Sequence, residues 1–306
     1  MLWGMRRLLF VSTVSLGLLV ACKQGVPVGD GVQLVGISTN KALDETSGIA
    51  ASRLDPNRLW VLDDSGNPPN LYAITPGGSD IGTWHVEGAD KKDWEDIASF
   101  SDNGKNWLLV ADTGDNGGIR KRVRLLFIEE PSLGDKPGVL RPARIVDVVW
   151  PNGPRDCEAV AVDLTRREVV LITKKRQPPL VYTVPLDVED GETVTAKLIA
   201  NLPHVPRPSA KDIANNPKLA KLSVQVTAAD ISPDGLSLAV LTYRHLLLYK
   251  RATAKTSWAR ATEQRAPQEL SMPLLPQPEA LGWATDGQSL YVSGEISPTL
   301  IYRLHP

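Results

Sequence analysis

Apolar residues in this chain occur in runs of about five, separated by polar turns rich in Asp, Asn and Gly. One order of segments recurs: a polar residue, small apolar residues, a turn, a second apolar strand, a polar loop and a third strand. The five units that follow it begin at Ser47, Glu95, Glu158, Thr227 and Glu279. Short strands repeated at this spacing predict the blades of a β-propeller.

A fourth, outer strand is predicted after each of the first four units, at 81–86, 144–150, 194–200 and 257–263. None follows the fifth unit, whereas the strand VQLVGIS at 32–38 precedes the first. Pairing that strand with the last blade would close the ring and leave no open seam. We therefore predict an all-β fold, a single five-bladed β-propeller of four-stranded blades over 32–306. The insertion at 204–222 predicts a Pro-rich loop followed by a short helix or two.

The N-terminal segment has a different pattern. Arg6 and Arg7 precede an apolar stretch, Leu8 to Val20, which is too short to span a bilayer and predicts the h-region of a signal peptide. The tetrad LVAC that ends at Cys22 resembles the bacterial lipoprotein box. This resemblance implies cleavage before Cys22, a lipid on its thiol and anchoring in the cell envelope, at the outer membrane if the cell has one. An ordinary secretory signal with an incidental cysteine is the alternative.

These boundaries predict a signal peptide over 1–21 and a flexible tether over 22–31. The remaining cysteine, Cys157, has no partner in the mature chain, so the stability of the domain must come from packing rather than from a disulfide. The chain has 34 Lys and Arg against 35 Asp and Glu, and a net charge of −1 gives no electrostatic case for nucleic acid. We expect a monomer.

In a propeller, the first residues of the innermost strands converge on one end of the central channel. Here they would form a ring of three carboxylates and two hydroxyls, and two carboxylates ~5 Å apart repel by about 3 kcal/mol at an effective dielectric of ~20. A cation relieves this repulsion, and oxygen ligands without His or Cys favour Ca²⁺ over zinc or copper, with Mg²⁺ less suited to an irregular ring. The alternative is that the carboxylates shift their pKa, bind water or cap backbone. The predicted metal ligands are Ser47, Glu95, Glu158, Thr227 and Glu279.

The segments SGIAAS, RLWVLDDSG, DWEDIA, CEAVAV and EALGW resemble the blade starts of calcium-activated nucleotidases, the five-bladed apyrases of vertebrate secretory pathways and blood-feeding insects. The calcium ring of that family runs hydroxyl, Glu, Glu, hydroxyl, Glu, and the five unit starts match this order. The acidic entry segment that supplies a catalytic carboxylate in the family has no counterpart at 31–44. The segments DWEDIA and ADTGDN also resemble secreted bacterial propellers related to phytase-like and esterase-like groups.

Loops between second and third strands should project from the same face as the ring. Their acids and amides on one side and bases on the other could hold a phosphorylated or carboxylated ligand around a central cation. Solvated loop charges are the alternative for any single residue. The predicted ligand-binding residues are Asp63, Asp64, Asp112, Asp115, Asn116, Lys174, Arg176, Arg244 and Glu295.

Two functional classes follow. One is a non-catalytic envelope module that binds Ca²⁺ and, at the same face, an envelope protein, a glycan or a small anionic ligand. The other is a calcium-dependent hydrolase of phosphate or carboxylic esters. No Ser-His-Asp triad or other catalytic set is recognisable, which favours the first class, since the propeller fold by itself does not specify a function.

Overall fold

The computed structural model describes residues 25–306, so the predicted signal peptide and Cys22 lie outside the described residues. The N-terminal strands are β1 (Val26–Gly29) and β2 (Val32–Ser38). The strands of the first two units are β3 (Thr46–Ala51), β4 (Leu59–Asp63), β5 (Asn70–Ile74), β6 (Asp80–Val86), β7 (Trp94–Asp102), β8 (Lys105–Asp112), β9 (Val123–Glu129), β10 (Val139–Leu140) and β11 (Arg144–Val149).

The remaining elements complete three further units. The third unit and its insertion contain β12 (Cys157–Asp163), β13 (Glu168–Thr173), β14 (Leu180–Pro185), β15 (Thr193–Thr195), β16 (Lys197–Asn201), α1 (Ala210–Asn215) and α2 (Pro217–Leu222). The last two contain β17 (Val226–Ile231), β18 (Ser237–Thr242), β19 (Leu246–Lys250), α3 (Trp258–Gln264), β20 (Gln268–Leu270), β21 (Pro278–Trp283), β22 (Leu290–Gly294) and β23 (Thr299–Leu304). No helix in the described range is long and apolar enough to cross a membrane.

These strands form five sheets of four or five strands, and the innermost strands of the sheets pack side by side in a closed ring. The inner strands are β3, β7, β12, β17 and β21, with β21 packed against β3. The five-bladed β-propeller predicted from the repeats is therefore confirmed. Every residue of β3, β12, β17 and β21 is buried, because neighbouring blades cover both faces of these strands.

The N-terminal strand closes the ring as predicted. Strand β2 pairs antiparallel with β23, with Gln33 opposite Arg303 and Ser38 opposite Thr299. The last blade is thus assembled from both ends of the described chain, which leaves no open seam between the first and last blades.

One predicted outer strand is wrong. Residues 257–263 lie largely in α3, and the fourth strand of blade four is β20. The side chains of Trp258, Ala261 and Thr262 are buried, a spacing of three and four residues that belongs to a helix packed on one face. Ser257 caps this helix by accepting a hydrogen bond from the backbone N–H of Arg260 at 3.3 Å.

Three blades carry a fifth strand that the repeat pattern does not predict. Strand β10 pairs parallel with β6, β15 pairs parallel with β11, and β1 pairs antiparallel with β2. The segment predicted as a tether over 22–31 therefore includes a strand at Val26–Gly29. The predicted outer strand at 194–200 is divided, since Thr193–Thr195 joins blade two and Lys197–Asn201 joins blade three. The insertion at 204–222 forms the two short helices expected of it.

Candidate metal centre

Each of the five predicted ring residues lies in a β-bulge at the start of its inner strand. In blade two, Trp94 pairs with Asp112 and Asp96 pairs with Ala111, so Glu95 has no partner in the ladder. A bulge leaves one residue unpaired and turns its side chain away from the regular strand alternation. The same register shift occurs at Ser47, Glu158, Thr227 and Glu279. One backbone feature, repeated in every blade, thus presents these five buried side chains at equivalent positions.

Three hydroxyl groups fix the backbone that carries the three ring glutamates. Each donates a hydrogen bond to the carbonyl oxygen of the residue just before a glutamate, and so joins two neighbouring blades. The bonds run from Ser47 Oγ to Trp94 O (3.2 Å), from Thr113 Oγ1 to Cys157 O (2.6 Å) and from Thr227 Oγ1 to Pro278 O (2.8 Å). Ser47 and Thr227, expected as ligands, therefore have a positioning role that sequence reasoning did not foresee, and Thr113 was missed altogether.

The half of the ring around Glu158 and Glu279 already contains a positive charge. Lys174 Nζ forms an ion pair with Glu158 Oε2 and lies 3.9 Å from Glu279 Oε1. The same ammonium lies 5.2 Å from the centroid of the Tyr243 ring, and the Tyr243 hydroxyl donates a hydrogen bond to Glu279 Oε1. A lysine predicted to bind a ligand from its loop instead pairs with the ring, so these two carboxylates are compensated within the protein.

The other half of the ring is acidic, and its carboxylates have no ion-pair partner among the described residues. Carboxylate oxygens of Glu95, Asp64 and Asp93 lie within 4.8 Å of one another. Glu95 is only 3 % exposed, and its carboxylate has no hydrogen-bond or ion-pair partner within residues 25–306. Burial, followed by the charges of Glu158 and Asp64, raises the pKa of Glu95 well above its ordinary value. Burial and the neighbouring Asp64 raise the pKa of Asp93 to about 6.

A second acid group shares Glu95 with this one but is partly neutralised. Glu95, Asp156 and Glu158 also have oxygens within 4.8 Å of one another. Asp156 Oδ2 lies 2.8 Å from Lys175 Nζ, and Glu158 pairs with Lys174. Two lysines therefore compensate two of its three carboxylates. Of the two groups, the one formed by Asp64, Asp93 and Glu95 has the greater excess of negative charge.

The backbone around the acidic group is held by a lysine and an aspartate. Lys91 Nζ donates hydrogen bonds to the carbonyl oxygens of Asp63 and Asp64, both at 2.8 Å, and this fixes the loop that carries Asp64. The Asp112 carboxylate accepts the N–H groups of Lys92 (3.0 Å) and Asp93 (3.1 Å), which fixes the segment that carries Asp93. Two loops from different blades thus bring their acids to Glu95.

Several predicted ligand-binding residues instead have structural roles. Besides its backbone contacts, Asp112 pairs with Arg120 at 2.7 Å. Asp115 accepts the N–H groups of Ile119 and Arg120, both at 2.9 Å. These two acids stabilise their own loop. As ligand contacts they stay a prediction, and their structural role was not predicted. The sequence pattern missed this because loop acids that cap backbone N–H groups have the same residue types as loop acids that bind ligands.

The other predicted ligand-binding residues lie at varied distances from the ring. Glu295 lies against Glu279, and burial together with Glu279 raises its pKa to about 9. Asn116 accepts a hydrogen bond from Lys175 at 2.7 Å, and Arg244 pairs with Asp212 of α1 at 3.3 Å. Arg176 is exposed. Asp63 is buried beside the ring loops, and neither of its carboxylate oxygens has a hydrogen-bond partner among the described residues.

The acids that sequence reasoning missed follow a simple rule of position. Asp93 and Asp156 each lie two residues before a ring glutamate, on the segment that enters the inner strand. A polar residue occupies this position in every blade: Glu45, Asp93, Asp156, Gln225 and Gln277. The repeat therefore contains a second set of polar side chains, two residues before the ring. This set is visible in the sequence when the five units are aligned on their ring residues.

The channel is crossed by a carboxylate immediately after the ring. Asp96 is fully buried, and its Oδ2 accepts the N–H groups of Val160 at 2.9 Å and Ala229 at 3.3 Å. This side chain on β7 thereby links blade two to the inner strands of blades three and four. Asp230 links blades four and five in the same manner, by accepting the N–H of Trp283 at 2.8 Å. A layer of buried carboxylates thus lies directly behind the ring and joins neighbouring blades.

These residues fit a cation only on one side of the ring. Asp64, Asp93 and Glu95 offer hard oxygen ligands, and none of the three carboxylates forms an ion pair among the described residues, which suits Ca²⁺. The five-residue ring does not fit a central ion, because the Lys174 ammonium lies between two of its glutamates. The buried acidic groups could bind a metal ion, and the ligand set differs from the one the resemblance implies.

No protein-family model matches this sequence, and no curated protein matches it. Among solved structures, a luciferin-regenerating enzyme is similar in fold, with 10 % sequence identity and a TM-score of 0.44. The alignment covers 88 % of this chain and 95 % of that chain. The assignment of this protein as a five-bladed β-propeller rests on the strand topology described above.

Proposed function

We propose that this protein is a lipid-anchored module of the bacterial cell envelope that binds Ca²⁺ through Asp64, Asp93 and Glu95 and uses the surrounding face to bind a ligand or partner. The observation that carries the proposal is the Glu95 carboxylate, which is buried, has no partner among the described residues and lies within 4.8 Å of two further carboxylates. An ionised carboxylate in this environment is costly unless a cation accompanies it.

The chemistry of the ligands favours Ca²⁺. Carboxylate oxygens are hard ligands, and no histidine or free cysteine belongs to either acidic group. Asp64 and Asp93 come from loops and are only partly buried, whereas Glu95 is fixed in its strand. An irregular arrangement with room for additional oxygen ligands suits the six to eight ligands of Ca²⁺ better than the octahedral demand of Mg²⁺.

The surrounding face supports a binding role. A cation on this side would attract an anionic group. Arg176 is exposed on the same face and forms no ion pair among the described residues, so its charge is available to a ligand. Phosphate and carboxylate groups are the ligand classes that such a pair of positive charges recognises. An envelope protein or glycan that carries such groups is the corresponding partner.

Asp93 also supports a second candidate function, a calcium-dependent hydrolase of phosphate or carboxylic esters. Its partly buried carboxylate lies within 4.8 Å of those of Asp64 and Glu95, and a Ca²⁺ ion held there could polarise an ester bound beside it. Turnover of a panel of phosphate and carboxylic esters with and without Ca²⁺ separates the two functions. Calcium-dependent turnover would establish the hydrolase, and no turnover would leave the binding module.

Thermal unfolding tests calcium binding directly. Binding to the folded state alone at ~100 times the Kd adds about 2.7 kcal/mol, so Ca²⁺ should raise the Tm by several degrees and a chelator should reverse the shift. Mg²⁺ at the same concentration should raise the Tm less. A Tm that responds to neither Ca²⁺ nor chelator would contradict the proposal.

The envelope location rests on Cys22 and has its own test. Cys22→Ser removes the thiol that the resemblance to the lipoprotein box marks for acylation. The unchanged protein should partition with membranes and carry a lipid-modified N-terminus at Cys22 by mass spectrometry, whereas the variant should keep its uncleaved signal. An unmodified N-terminus elsewhere in the unchanged protein would contradict lipid anchoring.

A further inference from the structure

We propose that Lys174 is a built-in cation that occupies the Glu158 and Glu279 side of the ring and confines divalent-cation binding to the Asp64, Asp93 and Glu95 side. Lys174 would then determine how many metal ions the ring accepts. The inference rests in part on the proposed calcium site, and the test below separates the two.

The position of Lys174 is fixed by its surroundings. It directly follows β13, and its backbone N–H donates to Asp156 O at 3.1 Å. Its side chain is 11 % exposed and ends in an ion pair with Glu158. The ammonium also lies 3.9 Å from Glu279 Oε1 and 5.2 Å from the Tyr243 ring centroid. Two carboxylates and an aromatic face thus surround one positive charge, as a metal ion would be surrounded by ligands.

This ammonium competes with a metal for the same oxygens. A Ca²⁺ ion that used Glu158 and Glu279 would need the oxygen atoms that Lys174 now contacts, and it would be repelled by the ammonium at close range. The side chain cannot swing far into solvent without leaving two buried glutamates uncompensated. The divalent ion is therefore excluded from this side and directed to Asp64, Asp93 and Glu95, whose carboxylates form no ion pair among the described residues.

Removal of the charge should open a second site. Lys174→Met keeps an unbranched side chain that can pack against Tyr243 but carries no ammonium. Glu158 and Glu279 then face one another without a counter-charge, and the Tyr243 hydroxyl still holds Glu279 in orientation. A divalent cation is the simplest replacement for the lost positive charge.

The experiment counts bound ions by calorimetric titration with Ca²⁺, using the protein, Lys174→Met and Lys174→Arg. We expect one ion for the unchanged protein and for Lys174→Arg, even at millimolar Ca²⁺, and two ions for Lys174→Met. In chelator, Lys174→Met should have a lower Tm than the unchanged protein, and Ca²⁺ should restore most of the difference in Tm. Lys174→Gln carries the same test should the methionine variant not fold.

Each outcome distinguishes the two proposals. No ion in the unchanged protein and one in Lys174→Met would support this inference and contradict the calcium site at Glu95. One ion with unchanged affinity in both proteins would overturn this inference and leave that site standing. Two ions in the unchanged protein would also overturn it, since Lys174 would then not exclude the second, and no ion in any folded variant would overturn both.

Discussion

Gly114 lies so close to the Glu95 carboxylate that a Cβ atom at position 114 would overlap Glu95 Oε1. The same Cβ would overlap Asp93 Oδ2, the second acid of the candidate metal centre. The backbone N–H of Gly114 donates to Asp93 O at 3.2 Å, so this loop of blade two follows the segment that carries Asp93. A residue without a side chain is therefore required for these two carboxylates to approach one another.

Gly114→Ala should reduce Ca²⁺ affinity at least about tenfold, because the added methyl group must displace one or both carboxylates. Gly117→Ala is the matched control in the same loop, since its Cβ would meet nothing closer than Ile119 Cγ1 at 3.5 Å. Calorimetric titration of both variants measures the difference. Equal affinities for the two variants would show that Glu95 and Asp93 do not bind the ion together.

Thr227→Val should lower the stability of the protein with little effect on Ca²⁺ affinity. The hydroxyl of Thr227 donates to Pro278 O at 2.8 Å, and its loss leaves a carbonyl oxygen between blades four and five without a donor. This change should cost about 1–3 kcal/mol of unfolding free energy in chelator, measured by denaturant unfolding. A tenfold loss of Ca²⁺ affinity with unchanged stability would instead identify Thr227 as a metal ligand.

Asp63 should make stability depend on pH near neutrality. Burial, followed by the charge of Asp44, raises its pKa to about 7, whereas the unfolded chain has an ordinary carboxyl pKa of about 3.9. Between these two values the folded state holds a proton that the unfolded state has released. The free energy of unfolding therefore falls as the pH rises from about 4 to 7, and above pH 7 it stays at the lower value.

Asp63→Asn removes this charge and keeps the shape. In chelator, the variant should gain about 1–2 kcal/mol over the unchanged protein at pH 8 and much less at pH 5, as measured by denaturant unfolding at both pH values. A variant that is less stable than the unchanged protein at pH 8 would show that ionised Asp63 makes a stabilising contact, with Lys91 as the nearest candidate.

Closure of the ring by β2 predicts that deletion of β1 alone lowers the Tm less than deletion of β1 and β2 together. Deletion of residues 25–38 removes β1 and β2, exposes the edge of β23 and strips apolar cover from Leu304 and Tyr302. The Tm should fall by about 10 °C or more. Deletion of residues 25–29 alone removes β1, whose side chains are exposed, and should lower the Tm by only a few degrees. Equal losses, or none, would contradict closure by β2.

The repeat pattern predicts the blades, the ring residues and the closure, because each depends on residues at fixed positions in every unit. The pattern predicts a strand where α3 lies, because seven residues of mixed polarity fit the two-residue period of a strand as well as the 3.6-residue period of a helix. The burial of Trp258 against the blade stabilises the helix. Lys174 lies in the predicted loop between the second and third strands, but the sequence does not predict its contact with the ring, because it does not show which way a long, flexible side chain turns. Asp93 was overlooked although its spacing from Glu95 recurs in the repeat.

The central claim is that Glu95 and its neighbouring acids bind a divalent cation, and titration of the protein with Tb³⁺ tests it most directly. Trp94 precedes Glu95 and is fully buried, so excitation of its indole should sensitise the luminescence of an ion bound beside it. We predict saturable luminescence that Ca²⁺ displaces, a Kd raised at least about tenfold by Glu95→Gln, and an unchanged Kd in Glu263→Gln, an exposed glutamate of α3. Equal Tb³⁺ affinity in Glu95→Gln and Glu263→Gln, or no displaceable luminescence in the unchanged protein, would contradict the claim.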